Sequence, residues 1–432
     1  MIAFETLFLG LVVGLQPVGV VVGPQVAAVE LRLDGAAVVT LRAAPWQAPC
    51  DFGADPHPHV LDAIARDRSG TELGRARQWV NLPRPDAEAH LLLERDDRGR
   101  ATGARLTWEH LEAPEPERIR ITLDGVALRV DDPHRFTLPA HDPSRTHLLS
   151  VELTFPEHMT ARADVVFGGD VGANAEAELT AVPIVLGEGT VPPTREAMQG
   201  WFAVAGRQVG VVAVEEPGLD VVMVEDQGAA SLWRMQRRFN QRHLTGGARF
   251  VEANPDEDRL HLIFAVPRVL TDLPHKTRSL FPSSPPLELG TRNLFTRLSR
   301  VTFPLASPDE QALAEAVAVA GIDAAMSNRP RAVVLAYANG PDRSRWSPDA
   351  ARRFLADLHV PLRVWLLDQR RRGVSATPWG NAVHAGAGPL LDEALTALRV
   401  ELASQRIVWL EGAHLPQRIE LTSVARGVRL AR

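Results

Sequence analysis

Cysteine and lysine are almost missing from this chain. Of 432 residues only Cys50 is a cysteine, which excludes an intramolecular disulfide and any cysteine-based zinc site. Lys276 is the sole lysine, so arginine supplies nearly all of the 47 positive charges set against 53 acidic residues. Those arginines are dispersed, as a coding bias would leave them, rather than gathered for bidentate anion recognition. The net charge is −6 and no long basic run occurs, so a nucleic-acid or membrane-surface role has no electrostatic footprint. No glycine-rich phosphate cradle and no G-x-S-x-G nucleophile elbow is present. With 45% hydrophobic and 23% charged residues, the chain has material for two to four soluble domains at roughly 100–200 residues each.

The first residues are apolar. Phe4 to Ala28 holds only Glu5, Thr6, Gln16 and Gln25 as polar interruptions, and Val26-Ala27-Ala28 resembles a small-residue cleavage site. Residues 1–28 therefore predict a secretory signal, although no Lys or Arg precedes Arg32. The alternative is a single spanning helix. Either way the expectation is an exported protein, periplasmic, envelope-bound or secreted.

From Val29 short segments alternate with period two. Val29–Leu33 is followed by Asp34-Gly35 and a second apolar segment, a hairpin signature. Ile119–Leu123, then Asp124-Gly125, repeats it 90 residues later, and the His59 and His147 strands lie 88 apart. Two landmarks at nearly one spacing predict a duplicated β-module of the immunoglobulin-like sandwich kind over 29–84 and 103–170. The segment Arg84–Arg105 separates the copies, with Glu94–Arg100 as a hairpin tip or linker. His59 and His147, with His57 and His141 near them, read either as metal ligands or as strand-start caps. A β-rich connector follows over 177–216.

After residue 216 the grammar changes to apolar runs alternating with helical stretches. Val221–Val224, Leu260–Val266, Ala332–Ala336, Leu362–Leu367 and Ile407–Leu410 read as strands buried on both faces. Ser307-Pro308-Asp309-Glu310 and Ser347-Pro348-Asp349 are helix starts. Leu313, Ala316, Val317 and Ala320 form one helical stripe, and Ala351, Phe354, Leu355 and Leu358 another. Residues 217–414 thus predict a doubly wound, Rossmann-like α/β domain, with 415–432 as a tail. Ligands in such sheets gather at the strands' carboxyl ends, here Glu225–Gly228, Pro267-Arg268 and Tyr337–Asp342.

These strand ends resemble the von Willebrand factor type A (VWA) family, over somewhat under half of the chain. There, the first strand ends in D-x-S-x-S, a helix begins near a threonine, and the fourth strand ends in an acidic turn. Together they form a metal-ion-dependent adhesion site. The resemblance implies a bacterial exported protein with an adhesion-type head that binds protein partners. In this chain Asp226 keeps the acid, while Gly228 and Ala230 replace the serines, Glu310 or Gln311 the threonine, and Asn339 the fourth-strand acid. One carboxylate is a poor ligand set for a hard divalent cation, so a degenerate site and no cofactor are expected, with magnesium as the alternative.

Three functions follow. The first is a non-enzymatic protein-binding protein, with Trp233, Arg234, Arg237, Arg238 and Asp342 as contact residues. Arg242 and Phe239 extend that arginine–aromatic cluster. The second is a magnesium-dependent adhesion domain. The third is a hydrolase built on Asp226, Ser231 and either His261 or His243.

Overall fold

The computed structural model describes residues 2–6, 8, 10–83, 87–96, 100–110, 115–155, 160–168, 179–187, 189–216, 218–226, 228, 258–267, 281, 283–284, 287–288, 311–367, 373–386 and 388–432. Seven strands build a first sandwich: β1 (Ile2–Phe4), β2 (Leu15–Val22), β3 (Ala28–Leu33), β4 (Ala36–Leu41), β5 (Gln47–Asp51), β6 (His59–Arg66) and β7 (Glu72–Val80). They pair antiparallel in the orders β1–β2–β5 and β4–β3–β6–β7.

The apolar start of the chain is therefore part of a core rather than a separate segment. Gly10 and Gly14 take positive φ, and from Leu15 the chain runs extended with Val18 and Val20 buried against Leu31, Cys50 and Leu61. Valine-rich sequence suits a pleated surface as readily as a leader. Among the described residues no helix is long and apolar enough to cross a membrane.

The second sandwich repeats the first strand for strand: β8 (Ala87–Arg95), β9 (Ala101–His110), β10 (Arg118–Leu123), β11 (Val126–Leu128), β12 (Arg135–Thr137), β13 (His147–Thr154) and β14 (Thr160–Phe167). Its orders are β8–β9–β12 and β11–β10–β13–β14. The module begins near residue 87, not 103. The supposed separator Arg84–Arg105 supplies β8 and the first half of β9, because a strand can carry charged residues on its outer face.

The duplicated landmarks serve one purpose. Asp34 and Asp124 sit at φ 53° and 52° in their turns. Each carboxylate takes a histidine ring at 2.7 Å, His59 and His147 respectively, and accepts the next backbone N–H at 2.9 Å. The other ring nitrogens meet the carbonyls of Phe52 and Asp142. These histidines thus clip a hairpin turn to the neighbouring strand. His57 instead meets Asp357, and His141 lies edge-on to His147.

The expected connector opens a third sandwich with β15 (Leu179–Leu186), β16 (Phe202–Val204), β17 (Arg207–Val209) and β18 (Val211–Glu215). An α/β domain is then inserted. Its strands are β19 (Asp220–Glu225), β20 (Arg259–Phe264), β21 (Leu287–Glu288), β22 (Arg331–Tyr337), β23 (Leu362–Leu366), β24 (Val374–Thr377) and β25 (Gly380–His384). Its described helices are α1 (Leu313–Met326), α2 (Pro348–Asp357) and α3 (Gly388–Ala403). The chain then returns to the sandwich as β26 (Gln405–Glu411), β27 (Ile419–Leu421) and β28 (Val428–Leu430), giving the sheets β18–β26–β15–β28 and β17–β16–β27.

Ile407–Leu410 is thus not a strand of the α/β sheet, and 415–432 is not a free tail. Its run is apolar because both faces are covered. Val408 and Leu410 fill the third sandwich, while Ile407 and Trp409 pack on Leu148 and Val166 of the second.

The inserted sheet runs β21–β20–β19–β22–β23–β25–β24, parallel from β20 to β25 and antiparallel at both edges. Helices α1 and α2 cover one face with the two predicted stripes buried, and α3 covers the other. Ser347 caps α2 through the Ala350 N–H, with Pro348 in the first turn, as its sequence predicts. The Ser307–Glu310 start lies outside the described residues; the described part of α1 begins at Leu313. Strand order reverses between β19 and β22, which is the doubly wound switch point.

Candidate functional site

The ends of β19 and β22 meet at the switch point, and the carboxylate of Asp226 joins them. Asp226 is fully buried. Its Oδ2 accepts the N–H groups of Ala338 (3.0 Å) and Gly340 (2.9 Å), and its Oδ1 accepts that of Gly228 (2.9 Å). Buried Gln311 donates its side-chain amide to the same Oδ1 at 3.4 Å and to the Pro341 carbonyl.

The glycines here are set by space. A Cβ on Gly340 would lie 2.5 Å from Asp226 Oδ1 and 2.7 Å from Gln311 Nε2; on Gly228 it would be 3.2 Å from the Ala338 Cβ. The loop after β22 also caps α1. Asp342 Oδ1 accepts the Leu313 N–H at 2.9 Å, and Ser344 Oγ accepts that of Ala314 at 2.7 Å. Asn339 stands exposed at φ 59°, its amide oxygen holding the Tyr337 hydroxyl at 2.9 Å. Burial, then the negative charges of Asp226 and Asp342, push that hydroxyl's pKa up and keep it a donor.

A hard cation needs several oxygens with free lone pairs. Here the one acid is filled by four N–H groups, and Gln311 turns its NH2 toward it. The donor set does not fit such an ion. Among the described residues no group of three or more His, Cys, Asp or Glu side chains could hold a metal.

The expected residues divide accordingly. Asp226, Gly228 and Gln311 converge, with the backbone around Asn339; Gln311 rather than Glu310 is the neighbour the structure describes. Asp342 has one oxygen committed to capping. Ala230, Ser231, Trp233, Arg234, Arg237, Arg238, Phe239, Arg242 and His243 lie outside the described residues.

His261 is not near Asp226. It pairs in register with Val222, four residues back along β19 and so about 13 Å away. Its Nε2 meets Asp323 at 2.7 Å, and its Nδ1 lies 4.0 Å from Asp220. Burial opposes its charge, but Asp323 and Asp220 outweigh it and push the pKa up to about 9.

Sequence reading missed a Ser–His contact, Ser375 Oγ to His384 Nε2 at 2.8 Å. The His384 Nδ1 is buried without a partner. An orphaned lone pair costs less than an orphaned N–H, so the favoured tautomer donates from Nε2 to the serine. That arrangement does not activate Ser375 as a nucleophile.

A second histidine yields a pH prediction. Buried His359 touches the Pro416 carbonyl at 2.8 Å, tying the α2 end to the third sandwich. Burial, then the charges of Arg432 and Arg331, hold its pKa down to about 3. The unfolded chain takes up this proton near pH 6.5 and the folded one does not, so stability falls as pH drops below 6.5. The expected loss by about pH 5 is on the order of 2 kcal/mol. His359→Asn, which suits the positive φ of 54°, flattens this slope in urea titrations run across pH; an unchanged slope contradicts the assignment.

No protein-family model matches the sequence, and no curated protein does. Among solved structures the chain is similar to fibronectin(III)-like modules of Clostridium thermocellum CbhA. The identity is 15%, covering 18% of this chain and 93% of that one, with a TM-score of 0.17. The central fibronectin-III array of RIM-binding protein matches at 16% identity over 49% of this chain and 80% of that one, with a TM-score of 0.20. The Bacteroides ovatus mixed-linkage glucan utilization locus protein SGBP-B, in complex with a mixed-linkage heptasaccharide, matches at 13% identity over 48% and 57%, with a TM-score of 0.15. Similarities at these TM-scores say nothing beyond the β-sandwiches already visible in the strand order.

Proposed function

We propose that the chain is a non-enzymatic protein-binding protein in which three β-sandwiches carry a VWA-like head with a closed metal-ion-dependent adhesion position. The carrying observation is the saturated carboxylate of Asp226, with Gln311 on its remaining side. The support for a VWA-like head is positional. Asp226, Gln311 two residues before α1 and the loop after β22 meet at one point, where that family gathers its ligands.

The support against catalysis is likewise geometric. Asp226 has no free lone pair directed at solvent, and His261 lies elsewhere on the sheet. The arginine–aromatic cluster around Trp233 and Arg237, which lies outside the described residues, has hot-spot chemistry by composition and is the proposed partner contact.

Calorimetric titration of the full chain with Mg2+, Ca2+ and Mn2+ tests the reading. No saturable heat is expected up to about 10 mM, a range in which even weak calcium sites fill. Saturable binding abolished by Asp226→Asn favours the metal-dependent adhesion alternative and overturns this one.

A further inference from the structure

Gln311 stands where three strand ends converge. Its backbone carbonyl accepts the Arg343 N–H at 2.8 Å, and the next residue's N–H reaches the Ala265 carbonyl after β20 at 2.7 Å. Its side-chain nitrogen points at Asp226, after β19, and at the Pro341 carbonyl, after β22. The residue is fully buried. An amide nitrogen has two hydrogens, and both have acceptors here, one anionic and one neutral. A bridging divalent cation would make the same two kinds of contact, to a carboxylate and to a carbonyl oxygen.

We propose that Gln311 is a built-in substitute for a bridging cation, tying Asp226 to the loop after β22 and holding the head in one state that divalent ions do not alter. The inference rests on the closed-site reading above and deepens it. Gln311 is a positioning residue: it carries no chemistry and fixes loops that a metal would otherwise order. The surroundings are shaped for the amide. Gly340 approaches so closely that any side chain there would strike the amide nitrogen and the carboxylate together. A glutamate at 311 would place two carboxylates face to face in a buried site, where like charges cannot both remain ionised without a cation between them.

Thermal unfolding of the full chain in EDTA, Mg2+ and Mn2+, with amide exchange at Ala338 and Gly340, separates the possibilities. Wild type is expected to melt at one temperature in all three. Gln311→Met, which keeps the volume, is expected to melt lower and to exchange the two amides about tenfold faster or more. Gln311→Glu is expected to melt lower in EDTA and to recover in Mn2+. Unchanged exchange in Gln311→Met overturns the lock while leaving the closed-site reading standing. A Gln311→Glu melting point indifferent to Mn2+ also overturns it, because the amide then does not mark a cation position. A rise of the wild-type melting temperature with Mn2+ removes both, and that measurement needs no variant to fold.

Discussion

Asp226→Ala is expected to destabilise the head by about 3–6 kcal/mol. Three backbone N–H groups and one side-chain amide lose their acceptor together, and each buried orphan costs about 1–3 kcal/mol, partly relieved by relaxation. Asparagine does not rescue the site. Donors approach both oxygens of Asp226, so whichever way the new amide is turned, its NH2 meets two of them. Asp226→Asn should therefore cost about 2–4 kcal/mol on the same accounting. The midpoint of urea unfolding, followed by tryptophan fluorescence, checks both. A loss under about 0.5 kcal/mol for Asp226→Ala, the usual range for a surface change, would mean that the carboxylate is not the joint described.

Arg162→Met has the other large expected effect, at the seam between the second and third sandwiches. Arg162 donates its Nε to Asp164 at 2.9 and 3.0 Å and its Nη2 to Ser150 and, at 3.2 Å, to Glu215. Its guanidinium lies 4.1 Å from the Trp409 ring centroid, and the Trp409 indole donates to Glu215 at 2.8 Å. Removing the cation strands two poorly solvated carboxylates, which typically costs about 3–5 kcal/mol. Burial already pushes the Asp164 carboxyl up, with Arg162 opposing it. Without the arginine, Asp164 should protonate more readily, and the penalty should shrink as pH falls from about 7 to 5. Denaturation of both forms at the two pH values measures this. An equal penalty at both would place the cost in lost packing on Trp409 rather than in stranded charge.

Local pattern carried some features well. The Asp-Gly turns and the two His strands revealed the duplication because each copy needs the same residues at the same turn. The α2 start was legible because Ser347, Pro348 and a four-residue stripe agree. Other features were hidden for physical reasons. Ile407–Leu410 has no polar face in either setting, since a strand covered on both sides reads alike in a parallel sheet and at an interface between sandwiches. Val18 and Val20 lie among glycines and valines that suit a leader as well as an edge of a core. Discontinuity was invisible too, because β18 and β26 pair across 189 intervening residues and periodicity has no memory at that range.

At the site, Asp226 was found because an acid ends an apolar run. Gln311 remained one of two candidates, because only the third dimension places it beside that acid. The saturation of the carboxylate involves backbone N–H groups of Gly228, Ala338 and Gly340, which no side-chain motif records.

The most direct test is a crystal structure of the full chain grown with about 10 mM MnCl2, read by anomalous scattering. The expected map has no manganese peak at the switch point, the Asp226 carboxylate facing the Gly228, Ala338 and Gly340 amides, and the Gln311 nitrogen against it. A manganese ion about 2.0–2.4 Å from an Asp226 oxygen, as hard-cation coordination requires, with Gln311 turned away, would contradict the closed head.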